Sequence, residues 1–365
     1  MEFNKIGFFG LGLIGGSIAK TIKRVKPEIR LYAASGRAST VEEAYELGLI
    51  ENREPLSAES FADMDLVILC APVTENLKFM RKLKEVLKGK TLVTDVGSVK
   101  GDIHRVVKDL DMEERFVGGH PMTGSEKTGL ANATDHMMEN AYYIITPTEK
   151  SSDEQVEAMQ AFARMLGSIP LVLDYDIHDR STAAISHLPH MIAFSLVNMV
   201  KDNDDENETM KTIAAGGFRD VTRIAASSSA MWEAICLSNR DKICEAMDVF
   251  SDYFGKLREY VENSDSKELL KLFGDAAEYR NNLFVNKPGA IRKVYEFYVD
   301  LVDELGGIAT VSSLLANSGI SIKNIGIVHN REFEEGVLRL ELYDERALTA
   351  AVRVLSENEY IVHER

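Results

Sequence analysis

Lys5-Ile-Gly-Phe-Phe-Gly10-Leu-Gly12-Leu-Ile-Gly15-Gly-Ser17 places a short apolar run, a glycine-rich turn and an apolar-periodic segment in direct succession. The order predicts strand, tight turn and helix. Gly10 suits the turn, Gly12 lets a ligand's pyrophosphate approach the backbone, and Gly15 lets helix pack on strand. The first free N–H groups of that helix, at Leu13, Ile14 and Gly15, would face the phosphates. A dinucleotide is therefore the expected ligand, against the plainer alternative of a βα turn with nothing bound.

Outward from this unit the alternation continues, with strand-like runs at 29–34, 65–70, 91–95, 115–118 and 141–146 and helical periodicity at 41–47, 75–88, 100–110 and 153–166. This predicts a doubly wound α/β domain over residues 1–168. From about 176 to 284 strand-like runs disappear, and apolar residues such as Ile185, Leu188, Ile192, Leu196 and Met199 recur at helical spacing. An all-helical domain over 169–288 follows, and helices apolar on more than one face predict packing between subunits. After Asn286-Lys-Pro-Gly289 the order reads βαββαβ over 295–365, a ferredoxin-like plan, with Gly306 and Gly307 in the turn where a small ligand would sit.

The chain has 365 residues, too many for one ordinary core, and its formal net charge of −16 would repel nucleic acid. Cys70, Cys236 and Cys244 lack close pairing, which argues against disulfides or a cysteine metal site. No metal is expected from His187 and His190 either, since no third ligand lies at suitable spacing. No unbroken apolar run approaches the ~20 residues of a membrane helix, and the start lacks a secretory pattern, so a cytoplasmic protein is expected. The acidic run Asp202 to Glu208 lacks the glycine and spaced glutamate of a calcium loop and reads as a turn between helices.

Three further segments point to chemistry. His120-Pro-Met-Thr-Gly-Ser-Glu126 sets an imidazole after the nucleotide-binding unit, and a neutral imidazole suits proton abstraction. Ser98, in Asp95-Val-Gly-Ser-Val-Lys100, lies at the carboxyl edge of the sheet, where it could donate to a reacting oxygen, cap the next helix, or both. Arg223, in Arg219-Asp-Val-Thr-Arg223, offers a planar fork for a carboxylate. At the end of the second strand Ser35 stands where an acid would hold an NAD ribose, with Arg37 two residues on; a hydroxyl and a guanidinium favour NADP.

Together, the glycine turn, Asp-Val-Gly-Ser-Val-Lys at 95–100, Gly-His-Pro-Met-Thr-Gly-Ser-Glu-Lys at 119–127, His-Leu-Pro-His at 187–190 and Gly-Phe-Arg-Asp-Val-Thr-Arg-Ile-Ala at 217–225 resemble the prephenate dehydrogenase family. The tail from about 295 resembles an ACT domain. The resemblance implies a Rossmann-type domain, a helical dimerisation domain and a regulatory domain. It makes His120 the catalytic histidine, Ser98 its partner at the substrate hydroxyl, and His190 and Arg223 substrate-binding groups. Glu126 would shape or gate the site, Arg219 would be a typical basic position, Asp220 would hold the basic groups in place, and Trp232 would reach a neighbouring subunit's site. It further implies prephenate as substrate, NAD or NADP as cofactor, a homodimer, and tyrosine as an effector bound near Gly306 and Gly307. Arogenate or dual-substrate specificity, a β-hydroxyacid dehydrogenase, and a non-catalytic nucleotide-dependent sensor stand as alternatives. Against the last two, a catalytic lysine in the helical domain has no counterpart, and Ser98, His120 and Arg223 are all present.

Overall fold

The computed structural model describes residues 1–125, 127–282, 295–300, 306–328 and 337–364. Glu126, the Asn286–Gly289 linker and the start of the Glu304–Gly307 turn lie outside the described residues. The chain divides into two compact units, Met1–Phe273 and Gly274–Arg365.

The first unit begins with β1 (Lys5–Phe9), α1 (Leu13–Val25), β2 (Arg30–Ala34), α2 (Ala38–Glu46), β3 (Leu66–Leu69), α3 (Val73–Val86), β4 (Leu92–Asp95) and α4 (Gly101–Asp109). Its four strands are parallel in the order β2-β1-β3-β4. Both faces of the sheet are covered, as an all-parallel sheet requires. Along β3, Leu66 and Ile68 enter a core with Ile18 and Ile22 of α1, while Val67 and Leu69 enter another with Phe79 and Leu83 of α3.

Then come β5 (Val117–Pro121), β6 (Tyr142–Pro147), α5 (Asp153–Met165) and β7 (Ile169–Val172), forming a smaller sheet of order β5-β6-β7. β5 runs antiparallel to β6 and β7 parallel to it. A lone parallel bridge, Val93 to Phe116, joins the two sheets. β7 extends this sheet beyond residue 168; its proline and exposed Leu171 and Val172 dilute the strand pattern, so sequence periodicity does not reveal it.

A helical block follows: α6 (Tyr175–Thr182), α7 (Leu188–Asn203), α8 (Thr209–Ile213), α9 (Gly216–Thr222), α10 (Ser229–Ser238), α11 (Arg240–Glu262) and α12 (Ser266–Asn282), the last crossing into the second unit. A π-helical turn, Ala183–His187, splices α6 to α7. The resulting stretch Tyr175–Asn203 is long and apolar enough to cross a membrane by length and composition. This corrects the sequence reading, which looked for an unbroken apolar run and passed over one interleaved with Ser, Thr and His. The acidic run is an ordered turn: Asp204 accepts from the N–H groups of Met210 and Lys211 at the start of α8.

The second unit contains β8 (Tyr295–Asp300), α13 (Gly307–Asn317), β9 (Ile322–Val328), β10 (Val337–Leu342), α14 (Glu345–Glu357) and β11 (Val362–Glu364). The described elements follow βαββαβ, and the antiparallel sheet has the order β11-β8-β10-β9. Phe297, Val299, Leu338 and Leu340 alternate inward against Val311, Leu315 and Leu355 of the helices. Gly306 caps α13 with φ of +95°, a conformation that favours glycine.

Candidate active site

The glycine turn borders a groove of about 1220 Å³ lined by Gly10, Gly12, Ser35, Arg37, Ala71 and Gly129, among others. Gly10 has φ of +94°, and a Cβ there would lie 2.8 Å from the Ala71 nitrogen, so only glycine fits. A Cβ on Gly12 would meet nothing within 4 Å, which leaves the backbone open to a ligand. Gly12 is also the N-cap of α1; no side chain caps this helix and its first turn holds no acid. Uncapped N–H groups beside open space fit a pyrophosphate, with Leu13, Ile14 and Gly15 in the first turn. Ser35 Oγ accepts from the Arg37 N–H at 3.3 Å, and Arg37 is exposed on the groove's rim.

His120 stands on β5. Its Nδ1 lies 2.8 Å from Nε2 of His178 on α6, with the two rings at 76°. His178 Nδ1 lies 2.8 Å from Asp179 Oδ1. Both α6 residues are buried, so neither carboxylate nor ring is traded against water. Asp179 also accepts from the N–H groups of Lys100 at 2.8 Å and Gly101 at 2.7 Å, and so caps α4. Ser98 is thus relieved of the capping role that was its structural alternative.

Behind β5 a fully buried Lys100 bonds the Asp95 carboxylate and donates to the Gly119 carbonyl at 2.7 Å. Asp95 in turn accepts from the N–H groups of Gly97 at 2.9 Å and Gly119 at 3.2 Å. Burial pulls the lysine below its ordinary range, while Asp95 opposes the shift. The pair grips the residue just before His120, fixing where that ring emerges. Burial first, then His178, Lys100 and His187, hold His120 well below the usual histidine range, so it is neutral at pH 7.

His190 and Trp232 meet on the helical side. Their rings stack with centroids 3.8 Å apart, and His190 Nδ1 donates to the Ser186 carbonyl at 2.8 Å. His187 is buried edge-on to the same tryptophan and lies 3.2 Å from Asn239 Nδ2, which donates to the Asp179 carbonyl at 2.9 Å. Trp232 is packed against its own chain, and its Nε1 lacks a partner among the described residues. Arg219, Asp220 and Arg223 are exposed on α9 and the short 3-10 turn that follows, both packed on α7. Among the described residues Asp220 pairs with neither arginine, contrary to the bracing role expected of it. No group of three or more potential metal ligands occurs among the described residues.

Sequence reasoning brought His120, Ser98 and the glycine turn to light but missed His178, Asp179, Lys100 and Asn239. The dipeptide His-Asp carries no spacing signal, and only folding brings residues 58 apart into contact.

The model of the prephenate dehydrogenase nucleotide-binding domain matches residues 18–169, and that of the prephenate dehydrogenase dimerization domain matches 174–275. The chain belongs to the prephenate dehydrogenase family. It is 38% identical over 333 residues to a prephenate dehydrogenase of Bacillus subtilis, covering 91% of this chain and 90% of that one. The prephenate dehydrogenase of Lactococcus lactis is 32% identical over 357 residues, 97% and 98% of the two chains. A crystal structure of prephenate dehydrogenase from A. aeolicus, in complex with hydroxyphenyl propionate and NAD+, superposes with a TM-score of 0.73 at 29% identity, over 77% of this chain and 99% of that one. The prephenate dehydrogenase family thus supplies the Rossmann-like and helical parts of the fold.

Two outcomes follow from the packing around His120. A Cβ on Gly119 would lie 2.7 Å from the Asp95 carbonyl and 2.9 Å from the Tyr143 ring. Gly119→Ala is expected to displace β5, costing about 1–3 kcal/mol of stability and at least tenfold in turnover, checked by thermal melts and steady-state rates. Burial chiefly holds His104 and His187 down to about 4. Their folded pKa lies below the unfolded value of roughly 6.5, so the unfolded state binds more protons on acidification. Stability should therefore hold above pH ~6.5 and be lost down to about 4, by roughly 2–3 kcal/mol for each histidine. His104→Gln, which keeps a partner for Thr146, should flatten the fall of Tm between pH 7 and 4.5; an unchanged slope would refute this account.

Proposed function

We propose that the chain is a cytoplasmic homodimer that converts prephenate to 4-hydroxyphenylpyruvate by oxidative decarboxylation. The observation that carries this reading is a neutral His120 held by its Nδ1, in the same compact unit as a groove fitted to a dinucleotide. Prephenate carries a ring hydroxyl opposite a ring carboxylate, and loss of hydride from the hydroxyl-bearing carbon lets carbon dioxide leave as the ring becomes aromatic. A nicotinamide dinucleotide, when bound, supplies the hydride acceptor. His120 takes the hydroxyl proton, and Ser98 donates to the same oxygen. His190 orients the substrate with Trp232 behind it, and Arg223, with Arg219 beside it, holds a carboxylate. Glu126 is assigned to shaping or gating the site.

The dimer accounts for the helical block. Of α11's 23 residues only Ile243 is buried, while Val249, Tyr253, Phe254 and Val261 are each more than half exposed. A second copy, rather than lipid, is the natural cover for these residues and for α7, because the match to a dimerization domain spans both. For the cofactor we propose NADP, with Arg37 meeting the 2′-phosphate and no acid at position 35 to repel it.

The test is absorbance of reduced nicotinamide with prephenate or arogenate, each with NAD and NADP. Prephenate should be oxidised, NADP should give the higher kcat/KM, and His120→Asn should lower kcat by roughly two to four powers of ten with cofactor affinity retained. Strong NAD preference would overturn the role given to Arg37, and near-normal turnover of the variant that of His120.

We further propose that residues 295–365 form an ACT domain binding tyrosine near Gly306 and Gly307, with residues 1–168 and 169–288 as the catalytic domains. A ligand there alters catalysis only by favouring one arrangement of the dimer. Truncation after Asn286 should leave dehydrogenase activity present and indifferent to millimolar tyrosine, while the full chain is inhibited. Equal inhibition of both forms would place tyrosine in the active site.

A further inference from the structure

We infer that His178 and Asp179 are positioning residues that turn His120 into a one-sided base, in a His-His-Asp relay reaching from β5 into α6. The inference rests on the reading of His120 as the proton acceptor and adds how its acceptor atom is chosen.

Hydrogen-bond polarity dictates the argument. A carboxylate only accepts, and Asp179 already takes two backbone N–H groups, so His178 Nδ1, 2.8 Å from Oδ1, carries its ring's proton. The neutral His178 ring then has a bare Nε2. At 2.8 Å that atom accepts from His120 Nδ1–H, leaving Nε2 of His120 as the bare nitrogen. Without the relay the two tautomers of a neutral imidazole compete, and one of them presents an N–H where a base is required.

Proton uptake balances along the same line. The substrate O–H bond breaks and the His120 Nε2–H bond forms, while Nδ1–H stays in its bond to His178 or passes to His178 Nε2. In either form one positive charge is shared by two rings and faces the Asp179 carboxylate, whose orientation is fixed by the start of α4. The other charged or titratable groups around His120 are Asp95 at the end of β4, Lys100 before α4, Tyr143 of β6 and His187 of the π turn. Lys100 and Asp95 are already paired with each other, so Asp179 is the carboxylate left to balance a charge on the histidines.

Three variants test the relay: His178→Leu, His178→Gln and Asp179→Asn. Glutamine can donate to Asp179 and accept from His120, so it holds the tautomer without taking a proton; leucine does neither. His178→Leu is expected to lower kcat at least a hundredfold with KM for prephenate within about threefold, and His178→Gln to recover tenfold or more of that loss. Asp179→Asn should move the acidic limb of the kcat/KM profile to lower pH, because the carboxylate that stabilises the charged pair is gone. On the free protein, a 15N spectrum of the histidines should show His120 protonated at Nδ1 and bare at Nε2. Equal losses in both His178 variants with a raised KM and lowered Tm would reduce these residues to scaffolding, and a His120 protonated at Nε2 would overturn the relay outright. The spectrum needs no substrate: the expected tautomer in a protein inert to prephenate would refute the proposed reaction and leave the relay standing.

Discussion

The Asp179 carboxylate is the point on which the site turns. One oxygen pair caps α4 of the sheet domain, and the same group holds His178 of the helical block. Its own carbonyl is tied to Asn239 at the head of α11. A buried carboxylate is tolerated only when its lone pairs are filled, and here they are filled from two domains at once. The junction between sheet and helices is thereby also the support of His120.

A second buried ionic contact, Lys100 with Asp95, works on the other side of β5. Such a pair adds little net stability against an apolar replacement, yet removing one partner costs roughly 3–5 kcal/mol because the other is stranded. Its value lies in geometry: it grips both the N–H and the carbonyl of Gly119 and so fixes the backbone at His120. Gly118 and Gly119 allow that grip, since a side chain at Gly118 would strike Thr146 of β6, and one at Gly119 would strike Tyr143 of the same strand and Asp95 of β4.

The helical block has the opposite character. Its helices are long but thinly buried, with a single buried residue in α7 and another in α11, so tertiary packing within one chain does not explain their stability. The π turn at Ala183–His187 lies within this block and sets His187 into the junction while His190 stacks on Trp232. π turns inside long helices recur at functional sites because they re-aim side chains without ending the helix.

What is local or periodic in this protein can be read from the amino-acid order alone. Alternation of strand and helix, the glycine turn and the change to helical spacing after about 176 are written in neighbouring residues, and so are the βαββαβ elements of the tail. His120 and Ser98 were legible because their segments sit at strand ends, where open sheets place ligands. Strand β7 was not, because its apolar residues are partly exposed and its pattern is weak. The partners of His120 were not legible either. No local pattern singles out His178, Asp179 or Lys100 as its supports. Their roles depend on contacts between segments separated by 19, 58 and 79 positions, and such contacts exist only once the sheet and the helices have packed. Chemistry at a site is decided by who donates to whom at 2.8 Å, and that is a property of the folded chain, not of any stretch of it.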